Sequence, residues 1–313
     1  MAVCDLLTVG RVSVDLYPLE SGVGFDGDQT FVKSMGGSPT NVAVGAARLG
    51  LRVAAVTGVG DDGFGRFVRA RLAGHGVGTR YVRVVPQGRT PLAIVALDPP
   101  ATPQVAFYRD DLAPDATLPV DLLDDDVVSG ARAVWVSHAA LAAGPTASST
   151  LHWLGRRHRA RYTVLDLDHR PALWRDVERA RRSAEQAIAL CDVVVGNQAE
   201  CEMALGSRDA DRAADELLAR GVRLAVVKLG PDGALLATAE QRHRIAARPV
   251  EVVCGLGAGD AFGGALVYGL LAGFPLDRIG RTACDAGAFV SARLTCSDDM
   301  PTAADLDAMA GTP

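Results

Sequence analysis

The chain has 313 residues, 49% of them hydrophobic and 22% charged, which is enough for a large buried core and too apolar for a disordered chain. Acidic residues outnumber basic ones by 37 to 32, a formal net charge of −5, so bulk electrostatics give no drive toward nucleic acid or an anionic membrane. The six cysteines fall at neither metal-finger nor C-x-x-C spacing and read as buried free thiols of a reducing cytosol.

"CDLLTVG" (4–10) reads as a buried strand closed by glycine. The segment near 11–19 alternates, and "FVKSMGG" (31–37) is a short strand entering a Gly-Gly turn. "PTNVAVGAARLG" (39–50) has apolar and small residues at helical spacing, with Gly50 as its stop. "RVAAVTGVG" is a strand and "DGFGRFVRARLAGHG" a helix. Between about 78 and 110 the pattern changes to short alternating strands, "RYVRVV", "PLAIVAL" and "QVAFYR". Strand and helix then alternate again: "AVWVSH" before a helix near 146–158, "YTVLDLD" before one near 176–190, "DVVVGN" before short helices, and "LAVVKLG" before "ALLAT". Two helices, near 258–272 and 277–294, end the chain. The basic run "RRHRAR" (156–161) reads as a solvated helix end. The N-terminus shows no basic stretch followed by a long apolar run, and no apolar run reaches membrane-spanning length, so neither a signal peptide nor a membrane is expected.

This alternation predicts an α/β fold with a mainly parallel sheet and helices on both faces. The whole chain, 1–313, reads as one domain. The segments near 11–35 and 78–110 do not fit such a sheet and are expected to form a small β-lid over the carboxyl ends of its strands, where open α/β sheets place ligands.

"GVGDDG" (58–63) formally matches G-x-G-x-x-G, but a dinucleotide fingerprint also needs an acid at the end of the next strand. That region reads "TRYVRVV" and has none, so a tight loop near the substrate is the better reading. "EVVCGLGAGDAFGGAL" (251–266) runs strand, glycine turn, helix. Gly257, Ala258 and Gly259 at a helix start leave backbone N–H groups that attract anions. Asp260 beside them would repel a phosphate, so it suits a proton acceptor for an attacking hydroxyl. The local stretch equally allows a helix-start acid favoured by the dipole.

"GAGDAFGGAL" resembles the second signature of the ribokinase-like (PfkB) carbohydrate kinases, and "GGSPTNVAVGAARLG" (36–50) resembles their first. "GVGDDGFG", "NQAE" (197–200) and "KLGPDG" (228–233) are similar to further motifs of that family, in the same order. The resemblance implies ATP-dependent phosphorylation of a sugar hydroxyl, a Rossmann-like core and a β-lid. It implies that Asp260 is the general base and that Gly257, Ala258 and Gly259 form the anion hole. Asp15, Gly37 and Asn41 match positions that hold sugar hydroxyls. Asn197, Lys228, Gly230 and Gly233 fall on the nucleotide side, and Glu200 on the Mg2+ that accompanies ATP. Many members carry an acid where this chain has Cys254, near a monovalent-cation site, which leaves a potassium requirement open. Arg109 in "FYR" and Arg170 in "DLDHRPALW" resemble motifs of the family's keto-acid kinases and would grip a substrate carboxylate. The implied partners are therefore a sugar acid, phosphorylated on its terminal hydroxyl, and ATP, in the cytosol. Lid strands that pair between subunits would make a homodimer. A sugar-sensing protein that kept the fold without catalysis is the rival from another class; intact Asp260 and its glycines argue against it.

Overall fold

The computed structural model describes residues 4–160 and 162–311. Its first half contains β1 (Leu6–Val9), β2 (Ser13–Pro18), β3 (Phe31–Gly36), α1 (Ser38–Arg48), β4 (Val53–Gly60), α2 (Gly63–Gly74), β5 (Val82–Val85), β6 (Leu92–Ala96) and β7 (Gln104–Tyr108). Then follow α3 (Asp125–Gly130), β8 (Ala133–Ser137), α4 (Gly144–Arg157), β9 (Thr163–Asp166), α5 (Val177–Ile188), β10 (Val193–Asn197), α6 (Gln198–Leu205) and α7 (Ala210–Ala219). The last part contains β11 (Leu224–Lys228), β12 (Ala234–Ala237), β13 (Arg242–Ile245), α8 (Ala258–Ala272), α9 (Leu276–Ser291) and α10 (Ala303–Ala310).

The strands form a nine-stranded sheet in the order β13-β12-β11-β10-β9-β8-β1-β4-β5. Pairing is parallel from β11 to β5, and β12 and β13 add antiparallel at one edge. Strands of the parallel region are apolar on both faces because helices cover both. Leu6, Trp135, Val164, Val195 and Val226 pack toward α1, α8 and α9. Leu7, Val136, Leu165, Val194 and Val227 pack toward the helices of the other layer, α4, α5 and α7. α8 can lie close to α1 and to Trp135 because Gly263 and Gly264 present no side chain there.

A second sheet, in the order β3-β2-β6-β7, is the lid. β2 pairs antiparallel with β3 and parallel with β6, and β7 closes antiparallel on β6. One expectation fails here. "RYVRVV" alternates like a lid strand, yet β5 pairs parallel with β4 and extends the large sheet, with Val82 opposite Thr57. An edge strand of a parallel sheet is covered on one face only, which produces the same alternation.

Four further departures are local. The residues before the glycine turn, 251–254, form no strand: Val252 and Val253 are exposed, and the N–H groups of Val253 and Cys254 both donate to the Ser291 carbonyl instead of to a neighbouring strand. α3 and α10 were not expected, and both are short. β13 was not expected either; its exposed residues pair with β12 at the sheet's edge. The basic run is no solvated helix end throughout: Arg157 is buried and donates to the carbonyls of Val128 and Ala131, at 2.9 and 2.6 Å. Arg156 pairs with Asp125, and Arg161 lies outside the described residues. All six cysteines are free and buried, as expected.

Candidate active site

The parallel strands run apolar until they reach one end of the sheet and then turn polar. β8 finishes in Ser137, β9 in Asp166, β10 in Asn197 and β11 in Lys228. Register sets these ends side by side, Ser137 opposite Asp166 and Asn197 opposite Lys228. Arg11 follows β1 by two residues, and Asp168 follows β9 by two. The sheet thus collects its buried polar groups at the carboxyl ends, under the lid.

Asp260 enters from the first turn of α8, whose N-cap is Gly257 in the left-handed region, φ 86°. A side chain at Gly257 would also collide with Cys296 Sγ. Only glycine meets both demands. The Gly257 carbonyl accepts from the N–H groups of Asp260 and Ala261, at 3.0 and 2.9 Å. The N–H groups of Ala258 and Gly259 precede the helical ladder and have no acceptor within it. Asn41, on α1, donates through Nδ2 to Asp260 Oδ2 at 2.8 Å. Burial pushes the Asp260 carboxyl up to about 6; Asn41 and Ser38 oppose that by hydrogen bonding, and Asp168 adds to it. A carboxylate at that value is ionised at neutral pH and is a stronger base than an exposed aspartate.

Asp15, on lid strand β2, is buried and accepts from Ser13 Oγ at 2.6 Å. Burial raises it to about 6 as well, with Ser13 and Arg11 opposing and Asp260 adding to the rise. Gly36, which the sequence reading did not single out, leaves the space the Asp15 carboxylate occupies. Gly37 caps α1, and its missing side chain lets the Arg11–Val12 backbone pass alongside. Asp15, Gly37, Asn41 and Asp260 therefore share one cleft between lid and sheet.

Lys228 stands in a ring of acids. Its Nζ is 3.4 Å from Asp166 Oδ1 and 3.9 Å from Glu200 Oε2. Burial alone would lower this ammonium, but Asp166, Glu200 and Asp260 together hold it above the usual lysine value. A side chain on Gly259 would come within 3.4 Å of the same Nζ. The free N–H groups and the ammonium thus border one space, a cradle suited to a phosphate. Asn197 and Glu200 form a reciprocal capping box at the start of α6: Asn197 Oδ1 accepts from the Glu200 N–H at 2.9 Å, and Glu200 Oε2 from the Asn197 N–H at 2.7 Å. Gly230 is exposed in the turn after β11, whereas Gly233 is buried against the Ile245–Ala247 backbone, with its N–H and carbonyl both used inside the turn. Among the described residues no group of three or more His, Cys, Asp or Glu could hold a metal by itself. Mg2+ that arrives on nucleotide phosphates and keeps its waters needs only one or two carboxylates, and Glu200 fits that demand.

Arg109 and Arg170 both reach this end of the molecule, and both already have carboxylate partners. Arg109 Nη1 lies 2.6 Å from Asp115 Oδ1, whose side chain is fully buried. Arg170 Nη2 lies 2.7 Å from Asp168 Oδ1. Burial would raise Asp168, but Arg170, Arg11 and the Ser137 hydroxyl hold it below the usual range. Beside them His138 stacks on Trp174 at 4.5 Å, and burial lowers its imidazole to about 4. Sequence reasoning missed Arg11, Asp166, Asp168 and His138. Each directly ends or follows an apolar strand, which is the one signal that could have marked them.

A mainly parallel sheet, a four-stranded lid and an acid at a glycine-rich helix start define a sugar-kinase class of fold and site, and comparison with known proteins agrees. The description "pfkB family carbohydrate kinase" matches residues 4–303. A 5-dehydro-2-deoxygluconokinase of Geobacillus kaustophilus is 32% identical over 312 residues, covering 97% of this chain and 92% of that protein. A fructokinase variant of Vibrio cholerae, solved with fructose, ADP and potassium ion, superposes with a TM-score of 0.85 at 28% identity, covering 97% of each chain. A structure assigned as Ribokinase II from E. coli, in complex with ATP and Mg2+, superposes at 0.89 with 22% identity, covering 98% of this chain and 99% of that one. The chain belongs to the pfkB family of carbohydrate kinases, phosphotransferases with an alcohol group as acceptor.

Proposed function

We propose that this kinase phosphorylates the terminal hydroxyl of 5-dehydro-2-deoxygluconate, a step of myo-inositol breakdown, with ATP as donor. The observation that carries the reading is Asp260, held by Asn41 at 2.8 Å beside the free N–H groups of Ala258 and Gly259. The hydroxyl oxygen attacks the γ-phosphorus, the bond to the bridging oxygen breaks, ADP leaves, and the hydroxyl proton passes to Asp260. Lys228 and the N–H groups of Ala258 and Gly259 meet the charge on the transferring phosphoryl group. Glu200 would hold the Mg2+ that accompanies ATP, and that ion would supply neutralisation of phosphate charge. Asp15 and Asn41 hold sugar hydroxyls, and Asn197 and Gly230 border the nucleotide; Gly233 supports that turn from behind.

The acid substrate is supported by the arginines around the cleft and by the relatives' names. 2-Keto-3-deoxygluconate, an isomeric acid, is the alternative substrate for the same chemistry. Potassium has no assigned role. The lid sheet ends in two open edges, β3 and β7, which carry exposed Phe31, Val32 and Tyr108, and a second copy of the chain is the partner proposed for them. No helix of the described residues is long and apolar enough to cross a membrane, and the cytoplasm is the proposed location.

A coupled ADP-release assay with 5-dehydro-2-deoxygluconate, 2-keto-3-deoxygluconate and fructose tests the substrate. The first should give the highest kcat/KM. A higher value for fructose would replace the acid reading with a neutral-sugar kinase.

A further inference from the structure

A cavity of about 150 Å3 opens between the lid and the sheet, lined by Arg11, Phe107 and Arg109 and by Ala139, Ala140 and Leu173. The guanidiniums of Arg109 and Arg170 each lie close enough to that of Arg11 to repel it. Two buried carboxylates answer them. Asp115 is held by Arg109 at 2.6 Å, and Asp168 by Arg170 at 2.7 Å and by the Ser137 hydroxyl at 2.7 Å. Asp110 and Asp111 also border the cavity but are exposed to water at its rim.

Arg11 is the one left over. Only 8% of its side chain is exposed, and among the described residues its single ion pair is to Asp168 at 4.0 Å, beyond hydrogen-bond distance. Its Nε is buried with no hydrogen-bond partner. The Phe107 ring lies 5.5 Å from its guanidinium carbon, a weak compensation for a buried charge. An arginine stays charged in a protein, so a buried one without a close anion is costly unless an anion arrives. Its position suits such an anion. Asp15 feels the charges of both Arg11 and Asp260, so it neighbours each of them in the cleft. A chain-like substrate with its hydroxyl at Asp260 would pass Asp15 and present its far end to Arg11.

We propose that Arg11 is the specificity-determining residue that binds the substrate's carboxylate, with Arg109 and Arg170 held by Asp115 and Asp168 as the walls around it. This rests on the acid-substrate reading above and names the residue that would enforce it. A guanidinium binds a carboxylate through two parallel N–H donors, which a neutral sugar cannot match.

The test uses the full-length protein, titrated by calorimetry with 5-dehydro-2-deoxygluconate and, separately, with Mg-ATP. Arg11→Met should raise the Kd for the acid by about 10- to 150-fold, the worth of a charge-assisted hydrogen bond, and leave the Kd for Mg-ATP unchanged. Its Tm without ligand should be no lower than wild type, because a poorly paired buried charge has been replaced by an apolar chain. Arg11→Lys keeps the charge but not the fork, and should fall between. An Arg11→Met variant that binds the acid like wild type overturns the proposal. So does one that loses both affinities with a lowered Tm, which would make Arg11 structural. If the wild type itself binds no sugar acid, the substrate reading fails first, and that failure is visible before any variant is made.

Discussion

The loop from Cys254 to Gly259 has two unlike sides. Facing the cleft, Gly259 borders the Lys228 ammonium, and beyond it lie Asp166, Asp168, Arg170 and Glu200. Behind, Gly257 presses on Cys296, and Tyr17, Val95, Leu97, Cys254 and Cys296 form a small apolar cluster with Leu256 and Leu294. One side is a network of charges and the other is packed thiols and hydrocarbon. Tyr17 joins the two, its hydroxyl 2.8 Å from Cys296 Sγ and 3.4 Å from Asp15 Oδ2. The contrast is functional. A dry backing lowers the local dielectric, so the charges in front act more strongly on whatever occupies the cradle. It also fixes the loop, so its N–H groups need not reorganise during phosphoryl transfer.

Breaking the charged side should have the largest effect. Asp260→Asn keeps the shape and an acceptor for Asn41 but no longer takes a proton at neutral pH. Its kcat should fall by about 10²–10⁴-fold, the usual worth of a general base, with KM for the sugar little changed. Steady-state kinetics on a variant with a wild-type circular dichroism spectrum check this. Near-normal turnover would reduce Asp260 to a helix-start acid.

Arg109 and Arg170 sharpen the comparison within the charged side. Arg109 is 12% exposed and neutralises a fully buried Asp115, which also accepts the Val12 N–H at 3.0 Å. Removing it strands a buried charge, a loss of about 3–5 kcal/mol. Arg109→Met should therefore show a markedly lower Tm. Arg170 is 34% exposed, and its partner Asp168 keeps Ser137 as a donor. Arg170→Met should lose less stability and show its effect in the KM of the acid substrate. Equal Tm losses in the two variants would contradict this division.

These pairings mark the limit of what the sequence discloses. The glycine turn before Asp260, the polar ends of "DVVVGN" and "LAVVKLG", and the lid strands around Asp15 are local patterns, and each was legible. Which carboxylate answers which arginine was not, because Arg109 and Asp115 sit in one loop while Arg11 and Asp168 meet only through the sheet order. The reading of Arg109 and Arg170 as carboxylate grips came from residue type and from a resemblance in sequence, neither of which shows pairing; the structure gives both an internal partner and leaves Arg11 without a close one. "RYVRVV" misled for a similar reason, since alternation reports one covered face and not which sheet covers it.

The raised carboxyl of Asp260 makes a smaller, pH-dependent prediction. Its value is about 6 in the folded protein, against roughly 4 in the unfolded chain. The folded state therefore binds more protons between those values, and the group's contribution to stability, complete below the unfolded value, is lost as pH rises through about 6. Two pK units correspond to about 3 kcal/mol. Asp260→Asn should accordingly melt a few degrees above wild type at pH 8, and the gap should close toward pH 5. In the wild type, kcat/KM should fall with acid below about pH 6, where Asp260 and Asp15 take up protons. A variant less stable than wild type at pH 8 would mean that the ionised form is better solvated than its burial implies.

The smallest expected effect lies on the apolar side. Cys254 is fully buried, and burial lifts its thiol above the usual range, so it is neutral at working pH. A neutral thiol is a soft, weak ligand for a hard monovalent cation. Replacing potassium by tetramethylammonium should therefore change wild-type kcat/KM by no more than about twofold, a hard cation gaining little from such a ligand. Cys254→Asp reverses the logic. A carboxylate among Tyr17, Val95 and Leu97 has no cationic neighbour in that cluster and is costly to ionise. The variant should melt below wild type in tetramethylammonium chloride, and potassium chloride at equal ionic strength should restore part of the loss, because a bound cation would supply the missing partner. A wild-type enzyme that loses most of its activity without potassium would show that backbone carbonyls alone bind the ion, and that the thiol cluster behind the loop does not keep cations out.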